Sequence, residues 1–380
     1  MEFWLLFFSR LVSGFGAGMT LVVTSRMIEE YVPLAMFATA SPFNIFMAQL
    51  GSFLALISAV ALPAEDAPDS AYEASTSWRW IFGFSFVWVA IGVLGFLLCV
   101  RIDTPKYYLS VGDEERALKA IHTIYDTNGN TIQANRIKRF LEKSCNQETT
   151  KVSLTETIWT DERYRRASIV NVTIMTFHTL TGYAAVMAFS TSIFETAGGD
   201  GGGGLSPRQG TYFVGLCNLV ASMAGIYTVR TFGRRQLLLY GHAAIAVLHF
   251  MIATATILGW STIQIGLVCV FILVYMTTTG PGAWAYAAET CSDSALSLCV
   301  FTLYAWQTVE SFTTETLMDW PDAGTFIIFG SITTVSCFFI YFFVGETKGL
   351  SEKEKKEIFM PGATWGRALK AGEKPFVELG

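Results

Sequence analysis

Apolar residues gather in nine long runs, near 3–25, 38–62, 79–101, 167–194, 209–230, 236–258, 263–288, 296–318 and 323–345. A bilayer hydrocarbon core of roughly 30 Å takes about 20 apolar residues per helical crossing. Each run is therefore long enough to be one membrane-spanning helix. A membrane barrel would instead show short segments of alternating polarity. The runs stand three and six on either side of one long polar segment that opens DTPKYYLSVGDEERALKAI. The pattern predicts an all-α membrane protein with a three-helix block at 1–101, a cytosolic segment at 102–166, a six-helix block at 167–345 and a tail at 346–380.

Helical periodicity reappears inside the polar segment. In DEERALKAIHTIY, Ala117, Leu118, Ile121 and Ile124 share one face, and Asp113 or Ser110 can cap the start. In QANRIKRFLEK, Ile137, Phe140 and Leu141 do the same. Two amphipathic helices packed against the cytosolic ends of the spans are expected, with His122 solvated between them.

Composition supports the membrane assignment, since 52% of 380 residues are apolar and only 15% charged, a balance ill suited to a water-facing surface. Placement of charge says more than the net value of −5. Lys and Arg crowd 101–166, the turn Arg230 to Arg235 and the tail after Glu346, whereas PAEDAPDSAYEAS (63–75) carries four acidic and no basic residues. The positive-inside rule puts the basic segments in the cytosol. Alternation of the spans then places Met1 outside and the C-terminus inside. Trp78 and Trp80, around Arg79, read as an interfacial belt. The seven cysteines are scattered, with no pairing or His spacing suited to a metal, and read as packing residues. No cleavable signal is apparent; the first run would itself be the anchor.

Several local features need explanation. Gly14, Gly16 and Gly18 allow close helix approach in the first run. Arg10, embedded upstream of them, costs several kcal/mol unless it snorkels or pairs, and is expected as an unpaired intramembrane charge. Pro33 should end that helix. The run ETAGGDGGGGLSPRQG reads as a flexible connector rather than a phosphate loop, since neither a preceding strand nor a following Lys-Ser/Thr is present. Asn171-Val-Thr173 fits a glycosylation acceptor but lies at a cytosolic span end, so it reads as a chance match.

Four stretches in order resemble the sugar porter family of the major facilitator superfamily: DTPKYY (103–108), TFGRRQLLLYG (231–241), GPGAWAYAAE (280–289) and VGETKGLS (344–351). Pro105 matches the proline of the family's PESPRW-type motif, and Gly345 replaces the proline of its PETKGLS ending. Arg10, Gly14, Gly18, Glu30 and Pro33 match the pattern of the family's fourth span. The resemblance therefore implies a major facilitator fold of two helical bundles that is N-terminally incomplete, lacking three spans. One of those carries the acidic partner of the arginine matched by Arg10. A truncated gene model, loss of part of the first half, or a membrane partner chain supplying helices are the implied explanations.

The resemblance also implies a sugar cleft between the bundles, where amides and hydroxyls replace the hydrogen bonds that sugar hydroxyls give up. In HTLTGYA (178–184), Thr181 and Gly182 match the family, while its glutamines become His178 and Thr179 and its asparagine Ala184; the tyrosine pair after them becomes Ala188-Phe189. Asn218 and Trp284 match binding residues, and the Asn-Trp pair of span eleven falls on Gln307-Thr308 or Ala305-Trp306. The span-five glutamine falls on Ile45, with Asn44 and Gln49 nearby. The implied substrate residues are thus His178, Thr179, Asn218, Trp284 and Gln307, although His178 equally fits a packed core position. Glu30, Arg234, Arg235 and Glu289 match the cytosolic gate, or else form a solvated charged rim. The gate's partner arginines fall on Phe37 and Leu296, and the acidic residue before GRR is Arg230. Glu310, inside a span, is a candidate for proton coupling with His178; Glu315 lies nearer the external end.

Two function classes fit these residues. The first is transport of a small polar solute, most simply a hexose-type sugar, by alternating access; the second is a degenerate, non-transporting relative serving as a structural or sensing membrane subunit. An enzyme is not expected, for no nucleophile–base set, metal cluster or phosphate loop is visible, and neither a cofactor nor a nucleic-acid partner is implied.

Overall fold

The structure is a computed structural model and describes residues 3–32, 34–63, 67–68, 70–71, 75–99, 102–125, 127, 130–148, 155, 159, 161–188, 190, 207–318, 323–350, 354–355 and 358–359. Pro33, Phe189, most of the Gly-rich connector and the tail from 360 lie outside the described residues, as do the side chains of Phe37 and Trp78. Chain contacts define two units: Met1–Met47 with Ala61–Pro63 and Pro68–Lys151, and Ala48–Val60 with Ala64–Ala67 and Val152–Gly380.

The first unit carries α1 (Phe3–Tyr31), the start of α2 (Leu34–Ser58), and α3 (Ser77–Cys99). The apolar side chains of α1 and α3 point outward, Trp4 at 66% and Phe86 at 77% exposure, as a lipid-facing surface requires. Arg10 lies on that surface with its guanidinium 5.2 Å above the Phe82 ring of α3. From sequence Arg10 is expected as an unpaired intramembrane charge; the Phe82 ring face lies against it, and an aromatic face attracts the cation.

The polar segment forms three helices. Thr104 caps α4 (Pro105–Val111) by accepting the Tyr107 N–H at 3.1 Å, Pro105 supplies the preset first turn, and Gly112 ends it at φ 81°. Asp113 then caps α5 (Glu114–Ile124) through the Arg116 N–H at 3.0 Å, while Ser110 bonds back to Tyr107. Ile121, Ala134 and Leu141 form a small core between α5 and α6 (Thr131–Glu148), with Leu118 and Ile137 against it. These helices pack mainly on one another, and α4 lies on α1. Phe140 departs from the expected buried face and is 53% exposed. His122 is half-buried and bonds Thr127 through Nδ1, rather than being solvated.

The second unit contains α7 (Glu162–Thr179), α8 (Tyr183–Ala188), α9 (Pro207–Thr231), α10 (Arg234–Ile257), α11 (Ser261–Thr277), α12 (Thr279–Thr290), α13 (Asp293–Met318) and α14 (Gly324–Phe343). α10 lies along α14, α9 along α11, and α7 along α13. Val170, Ile174, Met175, Leu238, Tyr286 and Ile340 form its core, threaded with Ala283, Ala287 and Cys299, whose small size lets helices approach. Asn171 is fully buried and donates to Ala167 O and Thr290 Oγ1, both at 2.9 Å, which explains it as a tie between α7 and α12 and not as an acceptor for glycan.

Eight of the described helical stretches are long and apolar enough to cross a membrane. The expected span at 296–318 is not among them. It forms the 26-residue helix α13, but Glu310, Glu315 and its Ser and Thr residues dilute its apolar character, with Glu310 and Thr314 turned into the bundle. Two expected spans are broken: 167–194 at Leu180 to Gly182, and 263–288 at Thr278, whose φ of −127° and ψ of −80° lie outside the helical range. The protein is a multi-pass integral membrane protein.

Candidate functional site

The break between α7 and α8 lies among four of the candidate residues, His178, Thr179, Asn218 and Glu310. Gly182 turns the chain there at φ 77°, and a Cβ at that position would lie 2.7 Å from the Phe329 ring, so glycine is required on both counts. Beyond it, Tyr183 stacks on Tyr275 of α11, ring centroids 4.1 Å apart and 7° from parallel. The Tyr183 hydroxyl donates to Asn218 Oδ1 of α9 at 3.2 Å, and Asn218 Nδ2 donates to Gln49 Oε1 at 2.8 Å. At the other end, the Tyr275 hydroxyl bonds His178 Nε2 at 2.9 Å. The result is one polar and aromatic chain, His178–Tyr275–Tyr183–Asn218–Gln49, inside an apolar bundle, where each buried polar atom must find a partner.

The sequence candidates fare unequally. His178 and Asn218 are brought into the same chain. Thr179 is buried and donates its hydroxyl to Met175 O at 3.0 Å on its own helix. Trp284 is half-buried against the apolar core cluster, and Gln307 is half-buried on α13. Glu310 is 4% exposed and its Oε1 accepts the Ala185 N–H at 3.3 Å; the structure sets Tyr275, not Glu310, against His178. Tyr183 and Tyr275 were missed by sequence reasoning. Their signal was there: Tyr183 follows the matched Thr181-Gly182, and Tyr275 is a phenol in an otherwise apolar run.

A second cluster forms at the basic end of the bundle, where Arg234 and Arg235 begin α10. Arg234 begins α10 and meets Glu289 at the end of α12, Nη2 to Oε1 at 2.7 Å and Nε to Oε1 at 3.0 Å. Glu289 Oε2 accepts the Thr347 hydroxyl at 2.6 Å. Glu346 Oε1 accepts three backbone N–H groups, Arg234 at 2.9 Å and Thr347 and Lys348 at 3.0 Å, and so caps α10 from the far end of α14. An orphan N–H at a helix start and the helix dipole both favour a carboxylate there. Gly233 is needed for this, since a Cβ would collide with the Glu346 carboxylate. Lys348 Nζ donates to Thr231 O at 2.6 Å. Arg235 turns away, donating to Tyr341 O at 2.8 Å and lying over the Tyr341 ring. Leu296 packs against the apolar core where the resemblance implies an arginine.

The first unit holds a related corner. Glu30 at the end of α1 accepts the Thr104 hydroxyl at 2.6 Å, and Tyr31 donates to Ile102 O at 2.7 Å.

The profile of the family described as "Sugar (and other) transporter" matches residues 1–359. The chain belongs to that family. Among members of the sugar transporter family, Hexose transporter HXT10 of Saccharomyces cerevisiae is 25% identical over 379 residues, covering 93% of this chain and 66% of the relative. Hexose transporter 1 of Plasmodium falciparum is 24% identical over 365 residues, covering 92% and 71%. The chain thus spans a little under two thirds of the length of the yeast relatives it matches, 66% and 64% for two of them. Among solved structures, the major facilitator superfamily proton:xylose symporter XylE bound to 6-bromo-6-deoxy-D-glucose superposes with a TM-score of 0.72 at 19% identity, covering 92% of this chain and 73% of that one. An inward open conformation of the xylose transporter XylE from E. coli gives 0.70 at 18% identity, covering 92% and 72%. These likenesses establish the major facilitator fold for the sugar transporter family chain described here.

Proposed function

We propose that this chain carries a hexose-type sugar across the membrane by alternating access, with no covalent chemistry. The observation that carries this reading is the Tyr183–Asn218–Gln49 chain, a buried amide between a half-buried phenol and a half-buried amide, in an apolar bundle beside stacked aromatic rings. Such a chain can exchange its internal hydrogen bonds for those of a sugar, while an aromatic face covers the apolar side of the ring. Relatives named hexose transporters favour carriage over the subunit role. His178, through Tyr275, supports the aromatic face in this reading, and Trp284 and Gln307 line the same bundle.

The Arg234–Glu289–Thr347 cluster serves as a cytosolic gate element: its ion pair stabilises one state of the carrier and weakens when that end opens. Arg235, held on Tyr341, anchors α10 to α14 instead. Glu30 with Thr104 is the corresponding element of the first unit.

Uptake of labelled glucose into proteoliposomes tests the proposal. Asn218→Ala should raise KM about tenfold, the equivalent of roughly 1.4 kcal/mol for a lost buried hydrogen-bond partner. Uptake by the unmodified protein no faster than that of protein-free vesicles would sink the reading.

A further inference from the structure

The gap between α7 and α8 leaves backbone groups that neither helix can satisfy, and two buried titratable side chains from other helices meet them. On the α7 side, Thr181 O accepts a hydrogen bond from His249 Nε2 of α10 at 2.8 Å. Because a carbonyl only accepts, Nε2 carries the proton. On the α8 side, Ala185 N–H donates to Glu310 Oε1 of α13 at 3.3 Å. His249 is fully buried, its ring 4.9 Å from that of Phe271 and about 6 Å from those of Phe326 and Phe329. Between the two contacts Gly182 makes its left-handed turn against Phe329. Neither side chain belongs to the polar chain that runs from His178 to Gln49.

We propose that His249 and Glu310 are a pair of positioning residues that clasp the α7–α8 break from opposite sides and thereby fix where α8 begins. Tyr183 is the first residue of α8, so the start of that helix sets both its stacking on Tyr275 and its hydroxyl on Asn218. The clasp therefore acts on the sugar through Tyr183 without touching it. The first turn of a helix has backbone N–H groups with no intrahelical partner, so its position is set by what outside contacts those groups and the preceding carbonyls find. Glycine's turn makes the break pliable, and the two side chains remove that freedom.

The proposal rests on the carrier reading only for its second readout. The first is hydrogen–deuterium exchange of the 180–190 segment in the purified chain in lipid nanodiscs, without sugar, with α14 as internal reference. Glu310→Leu and His249→Leu should each speed exchange in α8 about tenfold and leave α14 unchanged, as expected for one lost buried hydrogen bond. Glu310→Gln, which keeps an acceptor, and His249→Gln, which keeps an N–H donor at similar reach, should stay near the unmodified rate. The second readout is glucose uptake: the leucine variants should raise KM about five- to tenfold with kcat changed less, and the glutamine variants should restore KM. Unchanged exchange in the leucine variants, a rise shared equally by α14, or glutamine variants as fast as the leucine ones would each overturn the clasp. Faster exchange with an unaltered KM would overturn its role in positioning Tyr183. An unmodified protein that exchanges as expected but takes up no glucose would overturn the carrier reading and leave the clasp standing.

Discussion

At the end of α1 Glu30 accepts the hydroxyl of Thr104, and at the end of α12 Glu289 accepts that of Thr347, both at 2.6 Å. Each threonine follows an acidic residue, Asp103 or Glu346, in the segment leaving a later helix of its unit. The same acid–threonine contact nevertheless does different work. In the first unit Thr104 also caps α4, and Asp103 is exposed, its backbone N–H donating to the Tyr108 hydroxyl at 3.3 Å. In the second, Glu289 additionally holds Arg234, and Glu346 caps α10, so three elements converge on the corner. A motif therefore has the consequence its neighbours give it: one extra cation turns a two-element tie into a three-element junction.

Removing Glu289 should break this junction most severely. Glu289→Ala leaves Arg234, only 18% exposed, without its carboxylate and frees Thr347, for a loss of about 2–4 kcal/mol, discounted from fully buried pairs. Thermal unfolding in detergent would show it, and a loss no larger than that of Glu30→Ala would erase the distinction between the corners. Glu346→Ala takes the acceptor from three N–H groups and should cost about 2 kcal/mol, the upper range for a helix cap. Thr104→Val removes a cap together with the Glu30 contact, for about 1–1.5 kcal/mol, confined to the first unit and readable as faster proteolysis near 105–111. Thr347→Val is the mildest change, about 1 kcal/mol, because Arg234 still neutralises Glu289. If Thr347→Val proved costlier than Thr104→Val, the hydroxyl rather than the cation would dominate the second corner.

Much of this was legible in the sequence, and the reasons differ by region. Long apolar runs announce membrane helices because the bilayer fixes a minimum length, and Thr-Pro or Asp-Glu-Glu at a helix start announces its cap because the unpaired N–H groups there are local. His178 and Asn218 were found by motif matching, which carries residue types but not partners. Tyr183, Tyr275 and Gln49 were not singled out as site residues, since they come from α8, α11 and α2 and belong together only once those helices have packed. The buried role of Asn171 was also hidden, because its partner Thr290 is 119 positions away. The dilution of α13 was visible as scattered Ser, Thr and Glu, yet that Glu310 and Thr314 among them face the bundle was not.

The sequence alone determined that the chain is helical, that it crosses a membrane several times, which ends carry positive charge, and which family it resembles. Those properties depend on residue counts, periodicity and short motifs, all of which act within a few turns of chain. Only the tertiary structure decided where the spans break, which carboxylate meets which amide or guanidinium, and which phenols share a stack. Such pairings arise between residues far apart in the chain, and inside an apolar bundle their energies depend on distances of a few ångströms that helix packing alone sets.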